Sequence, residues 1–188
     1  MRAAVFDSSA DAVVAFGGNL GTDAAIVARF RSALAVLAAR FPIRALTRSR
    51  IYRSAPVGPV ADQPRFLNAA VALRAIDAWR PQELLRELLK LEASLGRVRA
   101  DSVPQGPRSI DLDLLFVGDA ELVIAGPPAL RLPHPRVSER AFVLMPLADL
   151  YGRDWAMPGI ARTVAACLAT PALAAQQADV SVYADRWG

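Results

Sequence analysis

Apolar residues along this chain fall into short runs separated by Gly- and Pro-rich turns, and their spacing changes from segment to segment. Residues 12–16 form a continuous apolar run that stops at Gly17-Gly18, the pattern of a buried strand. Thr22 or Asp23 is an N-cap for the next segment, where Ile26, Val27, Phe30, Leu34 and Leu37 recur close to a 3.6-residue period. That helix ends at Pro42, and residues 43–53 predict one second strand. A loop over 54–64 holds three prolines and a glycine. Residues 66–76 are apolar without clean alternation, as in a central strand. Pro81 suits a helix N1 position, Leu84, Leu85, Leu88, Leu91 and Leu95 line one face, and Gly96 is the C′ residue. A polar loop spans 97–107, and residues 110–117 form a strand interrupted only by two aspartates. Beyond it come short strands, Pro-rich turns and short helices, partly helical over 159–188 and without a usable motif. The order strand, helix, strand, strand, helix, strand predicts an α+β fold, a ferredoxin-like sandwich of an antiparallel sheet with helices packed on it. Many unrelated functions use that fold.

Composition narrows the class. The 188 residues fit one domain with a real core, and 54% hydrophobic against 21% charged residues excludes disorder. The expected layout is a flexible lead-in over 1–11, a main domain over 12–150, and an extension of the same domain over 151–188. Asp7 and Asp11 interrupt the N-terminal apolar stretch, so it does not read as a signal peptide. No apolar run reaches the roughly 18 residues of a membrane span. Cys167 is alone, so no intramolecular disulfide forms, and a cytoplasmic protein is expected. Lys90 is the only lysine, so the net charge of +4 is carried almost wholly by arginine. Arginine forks suit phosphate oxygens, although an Arg-rich coding bias explains the composition equally well.

Candidate chemistry concentrates in one stretch. Asp111 and Asp113 alternate with Leu112 and Leu114 on a strand, so both carboxylates face one way, roughly 6.5–7 Å apart, while the leucines face the core. Two such carboxylates need cations: Mg²⁺ with phosphate oxygens, or simply salt bridges to arginine at a sheet edge. Arg97, Arg99 and Arg108 stand close in sequence, and make either an anion site or a loop that neutralises itself. His134 lies between Pro133 and Pro135, which hold the backbone extended, with Arg136 and Arg140 nearby. It is placed to donate to phosphate or is an incidental surface histidine. Residues 17–21 follow a strand and open a helix, but lack the Lys-Ser/Thr of a Walker A loop, and a tight turn is the better reading. Phe66 and Phe142 are core residues by local context, with Asn68 on the same strand face as Phe66.

Six stretches in order resemble the hydroxymethyldihydropterin pyrophosphokinase family. They are Phe16-Gly-Gly-Asn-Leu-Gly21, Tyr52-Arg-Ser-Ala-Pro-Val-Gly-Pro59, Asp62-Gln-Pro-Arg-Phe-Leu-Asn-Ala-Ala70, Leu91-Glu-Ala-Ser-Leu-Gly-Arg97, Gly106-Pro-Arg-Ser-Ile-Asp-Leu-Asp113, and Pro133-His-Pro-Arg136 through Arg140-Ala-Phe-Val-Leu144. The fifth is the most specific. The resemblance implies transfer of pyrophosphate from ATP to the hydroxymethyl group of 6-hydroxymethyl-7,8-dihydropterin, releasing AMP, in folate biosynthesis. It implies two Mg²⁺ ions on Asp111 and Asp113, and phosphate neutralised by Arg97, Arg99 and Arg108. It places His134, Leu114 and Arg140 at the nucleotide. It sets the pterin between Phe66 and Phe142, with Asn68 on its polar edge and Ser54 and Val57 completing the pocket. The loops over 54–64 and 97–107 become lids that exclude water.

Gly18, Ala55, Leu89 and Gln105 depart from the family's usual residues, which bears on nucleotide affinity and lid stiffness, not on the metal site. At this length no attached dihydropteroate synthase or aldolase domain is expected. A monomer acting on small molecules, with no nucleic acid and no membrane, is expected. Two alternatives remain: a paralogue that binds pterin and ATP without efficient transfer, and an RNA-binding ferredoxin-like module. The second needs exposed aromatics where this chain carries Asp111 and Asp113.

Overall fold

A computed structural model of the chain describes residues 11–60, 62–75, 77–98 and 105–187. The elements run β1 (Asp11–Gly18), α1 (Asp23–Arg40), β2 (Ile43–Arg48), β3 (Ile51–Ser54), β4 (Phe66–Ala75), α2 (Pro81–Ser94), β5 (Asp111–Val117), β6 (Leu122–Ile124), β7 (Leu130–Leu132), α3 (Ala141–Tyr151), α4 (Val164–Leu168), α5 (Pro171–Ala178) and β8 (Val180–Ala184). The sheet order is β5-β1-β4-β3-β8, with β2 also on β4, and each of these pairings is antiparallel. β6 and β7 form a separate antiparallel pair. The predicted split β-α-β order is present, with β4 between β1 and the β2–β3 edge.

The sheet is covered on both faces. Val14, Phe16, Leu67, Val71, Leu112 and Leu114 pack with α1 and α2. Val13, Ala70, Ala72, Leu115 and Phe116 pack with α3, α4 and α5. Burial on both sides explains why β4 is apolar almost throughout instead of alternating. Thr22 caps α1 by accepting a hydrogen bond from the Ala25 N–H (3.3 Å). Gly96 follows α2 at φ +90°, a conformation glycine adopts without strain.

Three local expectations change. Residues 43–53 form two strands, because Ser49 interrupts the ladder. Its Oγ accepts from the Ala70 N–H at 2.9 Å and donates to the Arg50 carbonyl at 2.6 Å. Asp11, expected in the lead-in, is the first residue of β1 and is buried. Arg74 Nε (2.7 Å) and the Tyr151 hydroxyl (3.0 Å) donate to its carboxylate, so its burial is compensated. The chain turns directly after His134, where the Val137 N–H bonds the His134 carbonyl at 3.0 Å, so the extended stretch expected around it ends there.

The segment after residue 150 is built into this body. β8 pairs with β3 and supplies the edge strand of the sheet. The Trp187 ring lies 5.3 Å from Phe16 and 5.8 Å from Phe30, and its indole N–H donates to the Ser49 carbonyl at 2.8 Å. An indole has one donor, and burying it needs such a partner.

Candidate active site

Strand alternation turns Leu112 and Leu114 into the core and leaves Asp111 and Asp113 facing outward beside β1. The two carboxylates have different surroundings. Asp111 is held by Arg97 and by Arg108, whose Nε lies 3.2 Å from Oδ2. Burial works against the Arg97 charge, but Asp111 and Glu92 more than offset it and raise the guanidinium pKa above its ordinary value. No hydrogen bond among the described residues reaches the Asp113 carboxylate. Burial raises its pKa, and Asp111 raises it further against the opposing influence of His134, Arg140 and Arg108.

Such a pair suits a hard cation. Among the described residues no group of three or more His, Cys, Asp or Glu side chains is placed to hold a metal. A divalent ion held here would need its remaining ligands from phosphate oxygens and water, the habit of Mg²⁺. The buried, unbonded Asp113 beside Asp111 fits that donor set.

Asp113 lines two depressions at once. On one side is a cavity walled by Ser54, Val57, Phe66, Asn68, Arg108 and Phe142. Its free space is small, about 40 Å³, and arginines stand against both aromatic walls. The Arg108 guanidinium is 5.1 Å from the Phe66 ring centre, and that of Arg140 is 5.6 Å from Phe142. Asn68 donates to Ser54 Oγ at 2.9 Å, which fixes the amide across the cavity floor. On the other side is an open groove of about 610 Å³, lined by Leu89, Leu114, Arg131 and His134 among others.

His134 has its backbone anchored by donation to the Leu115 carbonyl (2.9 Å). Its Nδ1 accepts from the Arg136 N–H at 3.2 Å, so the proton of the neutral ring sits on Nε2. Burial lowers the imidazole pKa, with Asp113 opposing. In its neutral form the ring is therefore an Nε2–H donor. Arg140 is also held below its ordinary pKa, by burial and then by Arg136.

The structure thus brings together Arg97, Arg108, Asp111, Asp113, His134, Arg140, Ser54, Val57, Phe66, Asn68, Leu114 and Phe142 around the end of β5. Phe66 and Phe142, core residues by local reading, are cavity walls. Leu114 is both core-packed and at the groove, so the two expectations for it are compatible. Arg99 lies outside the described residues.

Sequence reasoning missed several supporting residues. Glu92 on α2 is buried (1% exposed), is paired with Arg97, and accepts from the Leu112 N–H at 2.8 Å. A lone Glu on an apolar helix face is the signal that marks it. Asn19 donates to Gln63 Oε1 (3.0 Å) and to the Pro64 carbonyl (2.9 Å), and accepts from the Arg108 N–H (2.8 Å). Gln63 in turn donates to the Gln105 carbonyl at 3.0 Å, so the described ends of both loops are tied to the turn over 17–21. Gly18 leaves that turn room: a Cβ there would stand 2.8 Å from the Ser109 carbonyl oxygen.

The model of one family, 7,8-dihydro-6-hydroxymethylpterin-pyrophosphokinase, matches residues 13–152. A 2-amino-4-hydroxy-6-hydroxymethyldihydropteridine pyrophosphokinase from Synechocystis is 40% identical over 153 residues, 81% of this chain and 72% of that protein. One from Methylorubrum extorquens is 44% identical over 139 residues, 74% of this chain and 81% of that protein. The chain also matches a mitochondrial folate synthesis bifunctional protein of Arabidopsis thaliana at 42% identity, but spans only 24% of its length. The crystal structure of wild-type Plasmodium falciparum HPPK-DHPS superposes with a TM-score of 0.58 at 12% identity, over 84% of this chain and 44% of that one, a likeness of fold. With a family match over most of its length and relatives above 40% identity, this chain belongs to the 7,8-dihydro-6-hydroxymethylpterin-pyrophosphokinase family.

Proposed function

We propose that the end of β5 transfers the pyrophosphoryl group of ATP to the hydroxymethyl oxygen of 6-hydroxymethyl-7,8-dihydropterin. The new bond joins that oxygen to the β-phosphorus, the α–β bridge breaks, AMP leaves, and the hydroxyl proton is released. The observation that carries this is the position of Asp113, which lines both the aromatic cavity and the open groove. A group on that border touches both substrates where they meet.

The roles follow from surroundings. Phe66 and Phe142 offer the cavity two aromatic faces for a flat heterocycle, and Asn68 with Ser54 offers its edge hydrogen bonds. Val57 closes the cavity from the 54–64 loop. The groove takes the nucleotide, with Leu114 on its wall, Arg140 on the cavity side of the border, and the His134 Nε2–H as a donor to phosphate. Arg97 and Arg108, already on Asp111, neutralise phosphate charge, and Arg99 is assigned the same task from the resemblance alone. Asp111 and Asp113 would hold two Mg²⁺ ions. The ions supply charge neutralisation and alignment of the triphosphate, and catalysis is otherwise positioning and electrostatics.

The reading takes the chain as a cytoplasmic monomer acting on small molecules. Asp111 and Asp113 occupy the sheet face where an RNA-binding module carries aromatic and basic residues. No helix among the described residues is long and apolar enough to cross a membrane. The test is AMP formation from ATP, Mg²⁺ and 6-hydroxymethyl-7,8-dihydropterin, against EDTA and no-pterin controls. AMP that requires both pterin and Mg²⁺ supports the reading. Absence of AMP while both substrates bind overturns it in favour of a paralogue without transfer.

A further inference from the structure

The helix that carries Phe142 does not cap itself. α3 starts after Arg140, whose side chain makes no cap hydrogen bond, and its first turn holds no acidic residue. The missing partner comes from α5. Gln176 Oε1 accepts from the Ala141 N–H at 3.1 Å, and Gln176 Nε2 donates to the Glu139 carbonyl at 3.3 Å. One amide thus clamps the backbone on both sides of Arg140. The clamped stretch runs directly into Phe142, so its rotation sets where the Arg140 guanidinium and the Phe142 ring stand in the cavity.

The same end of α5 holds the opposite wall. The Asp179 carbonyl accepts from the Ala55 N–H (3.3 Å) and from Arg65 (2.7 Å). A second cavity of about 260 Å³ lies between these contacts, sharing Ser54, Val57 and Phe142 with the first and adding Gln176 and Asp179. Phe142 is therefore a partition with open space behind it. The clamp at its helix start, together with the packing of Phe142 against the neighbouring core, keeps the partition from leaning into that space. The family match ends at residue 152, so this support comes from a segment outside it.

We propose that Gln176 is a positioning residue for the pterin half of the site, acting through Arg140 and Phe142 from beyond the family-matched region. The proposal rests on the reading that Phe142 contacts the pterin. Orphan N–H groups at a helix start are satisfied by caps, and loss of a cap loosens the first turn.

The experiment measures equilibrium binding of 6-hydroxymethyl-7,8-dihydropterin, with a non-hydrolysable ATP analogue and Mg²⁺ present, for wild type, Gln176→Ala, Gln176→Glu and Phe142→Ala. Analogue affinity and melting temperature are followed for each. Gln176→Ala is expected to weaken pterin binding roughly tenfold, the scale of one lost cap, with a smaller change in analogue affinity. Gln176→Glu retains the acceptor for the Ala141 N–H and is expected to recover most of the loss. If Phe142→Ala weakens pterin binding and Gln176→Ala does not, the positioning role is wrong. Equal loss of pterin and analogue affinity in Gln176→Ala, unrelieved in Gln176→Glu, marks a general structural role and also overturns it. If Phe142→Ala leaves pterin binding unchanged, the underlying assignment of Phe142 has failed and the inference goes with it.

Discussion

Replacing Asp113 with asparagine should move activity and stability in opposite directions. The wild-type carboxylate is buried, faces Asp111 and receives no hydrogen bond among the described residues, and burial followed by Asp111 raises its pKa. The folded state thus binds that proton more tightly than the unfolded chain. The group's contribution to stability is full below the ordinary carboxylate value of 3.8 and is lost as pH rises through the raised one. Above the ordinary carboxylate value the group therefore costs the fold stability, and an isosteric amide, which does not titrate, removes that cost. Relief of about 1 kcal/mol corresponds to a rise of about 2–4 °C in melting temperature for a domain of this size. The advantage over wild type should grow as pH rises from the ordinary carboxylate value of 3.8 through the raised one, when melting is followed in EDTA. Activity should fall instead. On the proposed function the substitution takes away a metal ligand, which would remove several kcal/mol of transition-state stabilisation, and about 4 kcal/mol is about a thousandfold in rate. The assay is pterin-dependent AMP formation with saturating Mg²⁺. Turnover within about tenfold of wild type, or a variant less stable than wild type in EDTA at neutral pH, would refute the reasoning.

Asp111→Asn should behave differently from its neighbour: it strips a partner from the largely buried Arg97, leaving Glu92, and should cost about 1–3 kcal/mol in urea unfolding as well as activity. A stability equal to wild type would contradict the pairing. His134→Ala should slow transfer about a hundredfold while pterin affinity stays within a few-fold, measured by single-turnover rates and pterin titration, because His134 lines the groove and not the aromatic cavity. Weaker pterin binding with an unchanged rate would remove its phosphate role. Trp187→Ala should destabilise by about 3–5 kcal/mol in chemical denaturation, since the ring fills space between Phe16 and Phe30 and its N–H is bonded. A loss under about 1 kcal/mol would show that the C-terminal segment is not integral to the core.

Much of the architecture was legible in the residue pattern, because period and punctuation act locally. The 3.6-residue recurrence from Ile26 to Leu37, Pro81 at a helix start and Gly96 after its end are decided within a turn or two of chain. Strand alternation alone placed Asp111 and Asp113 on one face, and the six ordered stretches identified the family. What stayed hidden depends on residues far apart in sequence. Asp11 reads as part of a frayed lead-in until Arg74 and Tyr151 arrive to satisfy its carboxylate. Phe66 and Phe142 read as core because an aromatic residue on an apolar segment carries no mark of whether a neighbour covers it. The two aspartates look alike along the chain, yet Arg97 and Arg108 reach one and leave the other bare. The last stretch offered no motif, since an edge strand, an indole plug and the Gln176 clamp are defined only by what they meet. The sequence by itself determined the main helices and central strands and the face on which the carboxylates stand, because covalent geometry sets those over a few residues, and its ordered motifs marked the family. The tertiary structure decided which charge is paired, which rings line a cavity and which segment supports the site, because burial and hydrogen bonding are properties of packed neighbours.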